Sequence, residues 1–162
     1  MDAGVEFSMV SDTELLEDTV ISRKTYEKCI SESNIRALKR IKDNGAQIVL
    51  HTCGLYDDRF DLVLKESGDA WHISDTSTKK VKEQYGDKVS LMGSIPCVPV
   101  LMEGTEQEVY DFCYKECMDA AQDGRFILSG DCDVPPGTSD ENMKAAVRAA
   151  KDAEKILFGK TK

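Results

Sequence analysis

What most constrains this chain is an alternation. Five short apolar, β-rich segments, at 5–10, 47–50, 70–73, 89–92 and 126–128, are each followed by a stretch whose apolar residues recur with helical period. The helices expected span 23–43, 59–66, 78–85, 106–122 and 140–157. Strands separated by helices pair in parallel through right-handed crossovers, and these strands read as apolar on both faces, as buried parallel strands do. The fold class is therefore α/β.

Local signals support the helix ends. Thr105 with Glu108, and Thr138 with Glu141, have capping-box spacing, in which hydroxyl and carboxylate satisfy free backbone amides reciprocally. Gly45, Gly68, Gly86 and Gly124 fall where the first four helices should stop, as C-caps that permit positive φ.

Neither of the glycine-rich phosphate-binding motifs, G-x-G-x-x-G and G-x-x-x-x-G-K-[ST], follows a strand, so nothing marks a nucleotide-binding open sheet. The polar punctuation instead gathers at the carboxyl ends of the strands: Ser11-Asp12, His51-Thr52-Cys53-Gly54, Ser74-Asp75-Thr76, Gly93-Ser94 and Ser129-Gly130-Asp131-Cys132. A (β/α)₈ barrel collects its chemistry at that end. A full barrel takes eight βα units and about 250 residues, so 162 residues form a single domain of five consecutive units, a partial barrel with a parallel sheet. With so few units the first strand is expected to be an exposed edge, covered by a second copy of the chain, by an N-terminal half-barrel polypeptide, or by the rest of a longer chain of which this is a fragment.

The formal net charge of −9, with scattered basic residues, excludes the concentrated positive face that nucleic acid or an anionic membrane requires. No apolar run approaches the roughly 18 residues that span a bilayer. The N-terminal stretch lacks the basic region and cleavage site of a signal peptide, which points to the cytoplasm. There the six cysteines are core residues or metal ligands rather than disulfides.

Successive strand residues point to opposite faces, so His51 and Cys53 can point the same way. They could form half of a metal site. A zinc ion with an open position takes about three protein ligands, and Cys132, just after the last strand, stands in the corresponding place to supply the third. The alternative is that these cysteines are simply buried, as free cysteines often are. Cys113 and Cys117, four apart on one helix, read as core, and Cys29 as a structural helix residue. Cys97 is an alternative ligand, and His72, inside its strand, reads as a core or interface histidine. Asp12 and Asp75 each follow a strand in a Ser-Asp-Thr tripeptide, where they are turn residues or carboxylates that orient a ligand or substrate.

The segments "IVLHTCG", "GDKVSLMGSI", "LMEGTEQEV" and "RFILSGDCDVPPGTSDENMKAAVRAAK" resemble the C-terminal half of the uroporphyrinogen decarboxylase superfamily, especially its methylcobamide:coenzyme M methyltransferase branch. The resemblance implies the last five units of a (β/α)₈ barrel. It implies Zn²⁺ held by His51, Cys53 and Cys132, with Asp12 and Asp75 at acidic positions common to the family's strand ends. It also implies a corrinoid carried by a partner protein and a thiol substrate such as coenzyme M. The competing decarboxylase branch is metal-free. That branch relies on an arginine-rich N-terminal segment absent here and tends to carry a histidine-containing segment where this chain has Gly130-Asp131-Cys132. A third reading is a noncatalytic docking or structural subunit.

Overall fold

A computed structural model describes residues 4–12 and 18–159, the side chain of Asp12 excepted. Five parallel strands lie in one sheet in chain order, β1 (Phe7–Asp12), β2 (Gln47–Thr52), β3 (Ala70–Ile73), β4 (Ser90–Ile95) and β5 (Phe126–Gly130), with helices between them. The chain divides into two compact units, Met1–Thr76 and Ser77–Lys162.

In the first unit β1 is followed by α1 (Arg23–Tyr26), a π-helical turn (Glu27–Ser31) and α2 (Glu32–Asp43), where the sequence pattern predicts one helix over 23–43. Cys29 lies in that turn and is exposed, not structural packing. Then come β2, α3 (Phe60–Lys65) and β3. Ile48, Val49 and Leu50 of β2 and Trp71 and Ile73 of β3 are at most 1 % exposed, and the Trp71 ring stacks on Phe60 at 5.4 Å. Beneath them Tyr26 donates a 2.7 Å hydrogen bond to buried Glu66, and the buried Arg59 guanidinium lies 5.5 Å above the Tyr26 ring while pairing with Asp58 at 2.6 Å.

The second unit carries α4 (Thr78–Tyr85), β4, a π-helical segment (Cys97–Met102) that no periodicity announces, α5 (Glu106–Ala120), β5 and α6 (Asp140–Phe158). Ala145, Ala146 and Ala149 of α6 pack with Val109 and Cys113 of α5, the small alanines allowing close approach. Asn142 of α6 donates to the carbonyls of Leu101 and Gly104 at 2.9 and 2.8 Å, tying the helix start to the end of the π-helical segment. Burial pushes the Cys113 and Cys117 thiols up, to about 12 and about 11, so both are neutral core residues as expected.

Several sequence expectations change. The Thr105 capping box forms, but α6 starts from Ser139, whose hydroxyl accepts from Asn142 N–H, because Thr138 spends its own hydroxyl on the Pro135 carbonyl. Gly45 and Gly124 adopt positive φ, 86° and 74°, whereas Gly68 and Gly86 do not. Ser67 takes the left-handed turn beside Gly68 instead, and a Cβ at Gly68 would sit 2.8 Å from the Leu50 side chain. β1 is exposed, as expected of a first edge strand, with Phe7 and Met9 57 % and 49 % exposed, and the expectation of burial on both faces fails also at β5, where Ile127 is 50 % exposed. Four strands, all but β3, also run into their polar ends, so that Ser11-Asp12, His51-Thr52, Gly93-Ser94 and Ser129-Gly130 lie within strands. Backbone ladder bonds continue regardless of side-chain polarity.

One pH effect follows from α5. The Glu116 carboxyl is pushed up by burial and by the neighbouring Asp119 carboxylate, against a hydrogen bond from Thr78 and the positive charge of Lys115. A raised carboxyl binds its proton more tightly in the folded state, so this stabilisation is complete below the ordinary value of 4.5 and is lost as pH rises past it. Glu116→Gln is expected to melt higher than the parent at pH 7, with the gap closing below pH 4.5, as scanning calorimetry at both pH values would record. Equal melting at pH 7 would contradict this.

Candidate metal centre

The carboxyl end of β2 carries two of the candidate ligands. His51 is the fifth residue of the strand, pairs in register with His72 of β3, and is 9 % exposed. Parallel register puts paired side chains on one face, and the two rings lie 4.5 Å apart, tilted by 32°. His72 is thus buried, as expected, and it packs against the candidate ligand, a neighbourhood visible only once the register is known. Cys53 comes two residues after His51, just past the strand, half-buried.

The backbone around Cys53 is pinned by Ser74, which the sequence marks only as punctuation. This hydroxyl, 3 % exposed, accepts the Gly54 N–H at 2.9 Å and lies 3.4 Å from the Thr52 carbonyl, so both flanks of the cysteine are tied to the end of β3. Asp75 follows with φ of 49°, exposed, its carboxylate 3.3 Å from the Ser74 hydroxyl. Asp12 closes β1 opposite Thr52, and its side chain lies outside the described atoms.

In the second unit Cys132 stands two residues beyond Gly130, the last residue of β5, and is exposed. Cys97 lies 5 % exposed, and its thiol donates to the Cys132 carbonyl at 3.4 Å. Burial pushes this thiol up. The thiol's contact places Cys97 against the loop that carries Cys132.

Parallel βα units with an imidazole and a thiol at a strand end define the class, an α/β protein of the TIM-barrel type with a candidate His/Cys metal site. The chain belongs to the uroporphyrinogen decarboxylase (URO-D) family, whose match covers residues 1–153. It is 29 % identical over 137 residues to a methylated-thiol–coenzyme M methyltransferase of Methanosarcina mazei, an alignment that takes in 83 % of this chain and 35 % of that relative. Its fold matches a solved methyltransferase from Methanosarcina mazei with a TM-score of 0.78 at 21 % identity, over 93 % of this chain and 43 % of the other. The chain thus spans about a third of the curated relative's length and under half of the solved one. Among the described residues no helix is long and apolar enough to cross a membrane.

Proposed function

We propose that this chain is the zinc-binding part of a cytoplasmic methyltransferase that moves a methyl group from a corrinoid, carried by a separate protein, to a small-molecule thiol such as coenzyme M. Residues 1–162 act in this reading as one domain, the C-terminal five βα units of a barrel. The observation that carries it is the chemistry of the donors: an imidazole and a thiol, His51 and Cys53, at the carboxyl end of β2, to which the Cys132 thiol past the end of β5 is proposed to add the third ligand. The curated methyltransferase relative supports the reaction class.

One neutral imidazole and two thiolates are the ligands zinc takes when one coordination position stays open. Zinc bound there supplies Lewis-acid activation, lowering the pKa of a thiol so that it is a thiolate near neutral pH. The chain's residues do the rest. Packing of the His72 ring against His51 restricts the imidazole to one orientation, and Ser74 holds the backbone on both sides of Cys53, so the ligands are ordered before metal arrives. Asp12 and Asp75, at the carboxyl ends of β1 and β3, are proposed to orient the imidazole or the substrate.

Elemental analysis of protein purified reduced and without chelator tests this reading. About one zinc per chain is expected from a three-ligand site. A zinc-free protein would overturn it in favour of a metal-free decarboxylase relative or a noncatalytic docking subunit. The exposed apolar side chains of Val5, Phe7 and Met9 on and before β1 support a covering partner, either a second copy or an N-terminal half-barrel polypeptide. Sedimentation equilibrium that returns a stable monodisperse monomer would count against that partner.

A further inference from the structure

We propose that Asp131 and Cys97 are positioning residues that clamp the backbone of Cys132 and thereby set the metal affinity of the site; this rests on the zinc reading above. Cys132 is exposed and lies past the end of its strand. The loop around it is tied at three points. The Asp131 N–H donates to the Ile95 carbonyl at 2.9 Å, extending the β4–β5 ladder by one bond. The Asp131 carboxylate accepts the Cys97 N–H at 3.1 Å. The Cys97 thiol donates to the carbonyl of Cys132 itself at 3.4 Å. The fit leaves no slack: a Cβ at Gly130 would lie 2.6 Å from the Cys97 sulfur and 3.2 Å from the Cys132 carbonyl.

Side chains that tie one stretch of backbone to another remove freedom that metal binding would otherwise have to remove. Asp131 and Cys97 touch no reacting atom in this scheme. Their effect is on the cost of ordering a ligand, in the way outer partners of metal ligands act elsewhere. Ser74 performs the corresponding task for Cys53 from the end of β3.

The test uses the full chain, reduced, with zinc alone titrated against a chromophoric chelator. Asp131→Ala is expected to weaken zinc binding by about 10- to 100-fold. Asp131→Asn, which keeps the carbonyl oxygen that accepts the Cys97 N–H, is expected to restore most of that loss. Cobalt(II) replaces zinc for the second readout: at saturation Asp131→Ala should keep the wild-type thiolate charge-transfer intensity, because Cys132 remains a ligand and only its ordering has changed. Thermal melting of the metal-free proteins separates a general loss of stability from this effect. Wild-type affinity in Asp131→Ala, with or without a lowered melting point, would overturn the proposal while leaving the zinc reading intact. Failure of the wild-type protein to take up either metal would overturn both.

Discussion

Cys53→Ala is expected to lower zinc affinity by about 10²- to 10³-fold. Structural four-ligand sites have apparent zinc affinities of about 10–16 kcal/mol, so one ligand accounts for about 2.5–4 kcal/mol, which is a factor of that size. The half-buried position of Cys53 makes the substitution mild for the fold, since the backbone on either side stays tied through Ser74. Chelator competition with reduced protein measures the affinity. Cys113→Ala is the control: this thiol is fully buried in the α5–α6 core, so its loss should reduce stability and leave zinc binding unchanged. Full zinc retention by Cys53→Ala would remove β2 from the metal site.

Trp71→Ala should carry the largest cost to stability. The side chain is 0 % exposed at the centre of β3 and stacks on Phe60 at 5.4 Å. Large-to-small replacement of a buried aromatic costs about 3–5 kcal/mol through lost transfer energy and the cavity left behind. Domains of this kind hold only about 5–15 kcal/mol in total. The chain has a single tryptophan, so urea unfolding of the variant is followed by far-ultraviolet circular dichroism rather than fluorescence. Trp71→Phe keeps an aromatic partner for Phe60 and should lose less. A loss below about 1 kcal/mol in the alanine variant would mean that the Trp71–Phe60 stack contributes little to the core.

The two candidate ligands at the end of β2 illustrate how far local pattern reaches. His51 and Cys53 stand out because an apolar run ends in two metal-capable side chains at strand spacing, and period-two geometry places both on one face without any tertiary information. Ser74 and His72 do not stand out. Their importance lies in pairing: His72 matters because β2 and β3 align His51 with it, and Ser74 because its hydroxyl reaches across to Gly54. Register is a property of two strands together, and neither strand alone encodes its partner's alignment. The π-helical segment at Cys97–Met102 was illegible for a related reason, since its run of apolar residues fits strand, helix or core loop equally well.

By itself the amino-acid sequence determined the α/β class, the order of strands and helices, the capping of α5 at Thr105 and the residue types able to bind metal, because all of these follow from spacing along one stretch of chain. Only the tertiary structure decided that α6 is capped by Ser139, that β5 leaves an apolar side chain exposed, and that the Cys97 thiol meets the Cys132 backbone. The cap turned on a competing acceptor at Pro135, the exposure on which strands end the sheet order, and the thiol contact on two segments 35 residues apart in sequence. Each depends on what lies beside a residue in space, and hydrophobic pattern records only how a residue relates to its neighbours in the chain.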